Sequence, residues 1–257
     1  MTRPLSESAA PGAPPARPSF GLTAGLGAVG LAGLALLLLL GLVLSPPDVV
    51  QGEVVRLIYV HVPAAFAVMY LAVPTLALGS LLVLWRRSQF WDLVAASAAE
   101  IGLVLTAVTL LSGMVWGRAT WGVYWVWDAR LTTTALLLVL LLGYLAVRGL
   151  PAPPTVRARR AAVTGLVVAV DVPIIHYSVD WWRSLHQGPT ISRLDVTMDG
   201  LMLFTLMLGL AVFAVLYVWL LIHRFRLEWL HEQLALETLE RDLTERRAQA
   251  AAQEVLR

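Results

Sequence analysis

The sequence predicts an all-α integral membrane protein with six transmembrane helices. Three observations carry that prediction. Hydrophobic residues make up 58% of the 257 and charged ones only 14%, whereas soluble domains carry about 25% charged residues. Apolar runs recur at about residues 20–44, 63–84, 94–115, 131–148, 161–178 and 200–223, each near the roughly 20 residues that cross a hydrocarbon core. The 19 basic residues are all arginine, and they gather at alternate ends of these runs.

Residues 1–19, rich in Pro, Ala and Ser and without periodicity, are read as a disordered cytoplasmic leader. The first run exceeds the about 7–15 apolar residues of a signal segment and lacks a small-residue cleavage pattern, so it is expected to stay in the mature protein. The second run is expected to begin at Pro63, because proline suits a helix's first turn, and this leaves His61 just outside. The third and fourth runs flank a loop over 116–132. The fifth holds Asp171 two places before Pro173, which leaves the Ala169 carbonyl without its helical partner, so polar groups can gather there around a small cavity. The sixth completes a membrane domain over 20–223. Residues 224–257 then form a cytoplasmic amphipathic tail of about eight turns, with leucines at 227, 230, 234, 236, 239 and 243. Such a tail either lies on the membrane or docks on a cytoplasmic partner.

Fourteen of the 19 arginines fall on one side; Arg56, Arg118, Arg130, Arg183 and Arg193 fall on the other. The arginine-rich side is the cytoplasmic one, which puts both termini inside and turns the loops over 45–60, 116–132 and 180–199 outward. The absence of Cys excludes thiol catalysis and thiolate metal sites. No phosphate-cradling Gly-x-x-x-x-Gly-Lys-Ser/Thr segment is present, so any ATP would be hydrolysed by a partner. The basic balance says little about nucleic acid, and none is expected as a partner; membrane lipid is.

The chemistry concentrates between Trp116 and Thr132, where four tryptophans fall within twelve residues beside Tyr124, Asp128 and arginines. Scattered interfacial tryptophans form belts, and Trp85, Trp91 and Trp219 fit that description. Trp116, Trp121, Trp125 and Trp127 instead share one loop with Arg118, Asp128 and Arg130. Trp121 and Trp125, if on one helical turn, present adjacent faces on which a flat macrocycle stacks. Arg118, Arg130, Arg183 and Arg193 can fork onto carboxylates, and Asp128 is expected to order the loop by pairing with a neighbouring arginine. His61 and His176 lie at similar depth near the outward surface. Each is either a hydrogen-bonded packing group or an iron ligand.

WGVYWVWDARLT matches the WGxxWxWDxRLT signature of the WWD haem-handling proteins. YVHVP and VPIIHYSVDWWRSLHQGPT are similar to the flanking histidine segments of the CcmC family of system I cytochrome c maturation. The resemblance covers about residues 50–223. It implies periplasmic haem-binding loops in a bacterial inner membrane, with haem b stacked on Trp116, Trp121, Trp125 and Trp127. It implies, too, that Asp128, Arg118, Arg130 and Arg183 would stand around the haem, with His61 and His176 approaching the iron. It further implies a non-enzymatic subunit that delivers haem to the chaperone CcmE, beside CcmD and the ABC transporter subunits CcmA and CcmB. His186, within the same similar stretch, is read as a loop residue hydrogen-bonding near Gln187; Asp171 is open to a proton-relay or propionate-adjacent role. Two other classes stay open: a small-solute transporter or channel with an aromatic gate, and a haem-ligating synthase sharing the loop. The crowding of polar chemistry at one surface weighs against the first, and the chain length against the second.

Overall fold

The structure, a computed structural model, describes residues 20–186 and 198–255. The expected leader over 1–19, Arg193 and the 187–190 end of the second histidine segment lie outside the described residues. Helix α1 (Phe20–Leu39) widens into a π turn over Leu40–Leu44. Carbonyls at its end lack intrahelical donors, and Arg56 supplies them by donating to the Leu42 and Ser45 carbonyls. A tight turn follows, in which the Asp48 carboxylate accepts from the amides of Val50 (2.8 Å) and Gln51 (2.7 Å). These bonds hold its pKa below the ordinary 3.8. Gly52 closes the turn at φ +59°, a conformation open to glycine.

The second span runs from Glu53 to Arg86. It comprises a 3₁₀ turn at Glu53–Leu57, α2 (Ile58–Phe66), a π turn at Ala67–Ala72 and α3 (Val73–Arg86). This corrects the expected start at Pro63: Pro63 and His61 both lie inside α2. A proline within a helix loses one hydrogen bond, a loss that membrane helices tolerate where neighbours pack closely. Its ring sits where a Cβ on Gly209 would come within 2.8 Å.

The remaining helices are α4 (Gln89–Trp121), α5 (Ala129–Gly149), α6 (Pro154–Trp181) and α7 (Gly200–Val255). They outrun their apolar runs because helix continues past the hydrocarbon on polar residues. The 33 residues of α4 measure about 50 Å, against a core of roughly 30 Å. Among the described residues, six helices, counting Glu53–Arg86 as one, are thus long and apolar enough to cross a membrane. The helix expected for the tail continues the last span: α7 runs unbroken for 56 residues, about 84 Å. Arg224 pairs with Glu100 and Glu228, and Arg157 with Glu232, which fixes the tail's base to α4 and α6. The six leucines of the tail are exposed.

Helices α3, α4, α5 and α6 enclose the main core, where Leu76, Leu137, Leu141, Tyr144 and Val168 are fully buried. At the end away from the Trp116–Trp127 segment, Arg148 of α5 donates to Asp92 of α4 at 2.6 Å in a buried pair. Helix α1 packs on α7 through small residues: a Cβ on Gly30 or Gly33 would come within 2.7 and 2.8 Å of Leu216 and Val212. Without a hydrophobic drive between helices in lipid, that close approach is what holds α1. Gly33→Leu is therefore expected to cost about 1–3 kcal/mol by overpacking, read as a lower midpoint in a detergent-denaturation titration.

Candidate functional site

A cavity of about 880 Å³ opens at the tryptophan-rich end, within the roughly 300–1,000 Å³ typical of small-molecule sites. Its walls come from five helices that the sequence places far apart: His61 and Phe66 from α2, Trp116 and Trp121 from α4, Arg130 and Leu137 from α5, His176 from α6 and Leu210 from α7. Tyr70 of the π turn, Trp125 and His186 complete it.

The His61 ring is fixed on three sides. Its Nδ1 lies 3.1 Å from Ser112 Oγ. That hydroxyl already donates to the Val108 carbonyl at 2.6 Å. With its only proton used, Ser112 accepts from Nδ1–H, so the Nε2 of His61 is left with a bare lone pair. A Cβ on Gly113 would stand 2.9 Å from His61 Cε1, and Trp116 meets the ring edge-on at 5.7 Å. The Trp116 Nε1 in turn donates to Gln51 Oε1 at 2.7 Å, tying α4 to the Asp48 turn.

The imidazole beside His61 is that of His186, with ring centroids 6.4 Å apart. Arg130 reaches both outward segments: Nη2 donates to the His176 carbonyl at 2.9 Å, and Nη1 stands 3.4 Å from His186 Nδ1. The buried Arg130 Nε has no hydrogen-bond partner among the described residues. His176 lines the same cavity, with its Nδ1 2.9 Å from the Tyr70 hydroxyl.

Asp128 does not touch the cavity but positions two of its walls. One carboxylate oxygen caps α5 by accepting from the Arg130 amide at 2.9 Å; the other accepts from the Leu185 amide at 2.8 Å. Burial opposes the charge, yet hydrogen bonds from the Ser184 side chain and from the Leu185, Arg130 and Leu131 amides outweigh it and hold the pKa below 3.8. The expected arginine partner is thus replaced by backbone amides. This one side chain fixes where α5 starts and where His186 sits.

Of the other expected residues, Trp116, Trp121, Trp125 and Arg130 line the cavity. The described wall includes neither Arg118, Trp127 nor Arg183. Arg118 lies over the Tyr124 ring at 5.8 Å and donates to the Gly122 carbonyl, closing the end of α4. Trp127 is 86% exposed and abuts Trp125 edge-on at 5.8 Å. Trp121 and Trp125 do not share a helical turn: α4 ends at Trp121 because Gly122 adopts φ +81°. Sequence reasoning passed over His186 as a loop residue; only its place in the same similar stretch as His176 signalled otherwise. Asp171 is 3% exposed, with both oxygens lacking a partner among the described residues, and lies outside the cavity wall.

Comparison with known proteins points to one family. The profile of the CcmC family, described as heme exporter protein C, matches residues 18–240. The chain is 37% identical over 193 residues to heme exporter protein C of Haemophilus influenzae, covering 75% of this chain and 78% of that protein. It is 38% identical over 207 residues to heme exporter protein C of Bradyrhizobium diazoefficiens, covering 79% and 78%. With heme exporter protein C of Escherichia coli it shares 37% identity over 182 residues, covering 71% and 73%.

Proposed function

The chain belongs to the CcmC, or heme exporter protein C, family, and from that premise we propose that it binds haem b in this cavity and hands it to the haem chaperone CcmE. The observation that supports the reading best is the pairing, in one mostly apolar cavity, of three tryptophans with three imidazoles and a guanidinium. Haem needs those three features: aromatic faces for the macrocycle, nitrogen donors for the iron and a cation for the propionates.

His61 and His186 are the pair the geometry favours. Their rings stand with centroids 6.4 Å apart on the cavity wall, so together they would hold the iron and supply its nitrogen donors. The Ser112 bond leaves the His61 Nε2 lone pair available, and an outer partner of this kind orients a ligating histidine. Arg130, with an unused Nε and a long bond to His186, is placed to turn toward a propionate. A second reading keeps His176 as the partner of His61, favoured by its presence on the same wall.

The arginine asymmetry supports an orientation in which both termini are cytoplasmic and the cavity opens at the periplasmic face of the inner membrane. In this reading the chain works as a subunit beside CcmD, with CcmA and CcmB supplying ATP hydrolysis. The purified chain in lipid nanodiscs should bind one haem, read by absorption and by pyridine haemochrome. Trp121→Ala combined with Trp125→Ala should weaken zinc protoporphyrin binding roughly thirtyfold, since each aromatic contact contributes about 1 kcal/mol. Undiminished binding by the double variant would reduce the cluster to an interfacial belt.

A further inference from the structure

We propose that the cavity has a second, lateral entrance facing the lipid, closed by the hydrogen bond between Tyr70 and His176 and used by haem to pass between the bilayer and the site. The proposal rests on the haem reading above. Both residues line the cavity, yet Tyr70 is 50% exposed, so this wall is one side chain thick. Both also lie inside spanning helices. Tyr70 falls within the apolar run 63–84 and His176 within the run 161–178, so the exposed side of this wall is expected to meet hydrocarbon.

In that medium an unpaired hydroxyl or imidazole is costly, and the 2.9 Å bond between Tyr70 and His176 Nδ1 satisfies both and shuts the wall. The hinge is uneven. On one side the backbone of α6 is held by Arg130 at the His176 carbonyl. On the other, Tyr70 rides on the π turn Ala67–Ala72, an irregular stretch of a kind frequent at functional sites. Opening therefore falls to the side chains and the π turn.

Outside the gate the surface is aromatic. Tyr177 meets His176 edge-on at 4.8 Å and stacks on Trp181 at 5.5 Å with planes 24° apart. Both rings are about half exposed, and they form a flat-faced track along α6 from the gate to the end of the helix. A flat, amphiphilic tetrapyrrole dissolved in lipid fits such a track.

The test uses the full chain in lipid vesicles and follows the rate of haem uptake from lipid by stopped-flow absorption. Tyr70→Phe keeps the ring and removes the bond. It should speed uptake and release alike by roughly fivefold, the change in an equilibrium that losing one neutral hydrogen bond produces, with the bound spectrum unchanged. Because the chain has no Cys, Tyr70→Cys with His176→Cys provides a unique pair for a short bismaleimide. Cross-linking should block uptake from lipid, while haem loaded beforehand stays bound with its spectrum intact. Uptake rates unchanged in both variants would overturn the gate, as would a shifted bound spectrum in His176→Ala, which would make that imidazole a ligand. Failure of the unmodified chain to take up or retain haem from any source would count against the haem reading itself, and the preloaded sample reports that separately.

Discussion

His61→Gly is expected to strip the protein of haem. Losing an outer partner of a metal-bound histidine already lowers metal affinity by about 10–100-fold, so loss of the ligand itself should reach at least the upper figure. The ring stands against Gly113 and Trp116, so its removal leaves a slot that free imidazole fills. Haem content by pyridine haemochrome should fall to background and return with millimolar imidazole. His186→Gly should behave in the same way, and His176→Gly should keep its haem. Retention of haem with an unaltered Soret band in both His61→Gly and His186→Gly would remove the assignment of the pair. A loss in His176→Gly would transfer the second ligand to that residue.

Asp128→Ala is expected to be the most damaging change outside the cavity wall. It deletes the cap of α5, costing about 0.5–2 kcal/mol, and removes the acceptor of the Leu185 amide, costing about 0.5–1.5 kcal/mol more. The two losses fall on one junction, so Arg130 and His186 lose their placement together. Haem retention and the thermal midpoint should drop together, and Asp128→Asn, with a single acceptor oxygen, should fall between. The carboxylate's pKa is depressed below 3.8 in the fold. Its contribution is therefore fully present above the unfolded value and is lost only as pH falls through the lower folded one. Between about pH 5 and 8 the difference between wild type and Asp128→Ala should be flat; a difference that grows across that range would point to a different titrating group.

The six spans were legible because a hydrocarbon slab demands about 20 apolar residues and nothing else in the chain resembles that. Helix ends were less so, since hydropathy records where lipid stops and not where backbone hydrogen bonding stops. Pro63 misled because its tolerance depends on Gly209, 146 residues away, whose missing side chain admits the ring. Gly122 was readable as the stop for α4, and reading it would have separated Trp121 from Trp125. His61 and the tryptophans drew notice through their residue types. The placement of His186 had no such mark: it follows from Asp128 gripping Leu185 across 57 residues, a contact that no local periodicity encodes.

The unbroken course of α7 makes it a lever. Leu210 on the cavity wall and Arg247 in the tail belong to one hydrogen-bonded rod, about 55 Å apart along a single axis. A hinged tail would dissipate a push; a continuous one turns it into tilt or twist at the other end. The fulcrum is where Arg224 and Glu232 clamp the rod to α4 and α6. Torque applied to the exposed leucines beyond it is delivered to Gly209 and the Pro63 ring lodged against it, and so to the helix that carries His61.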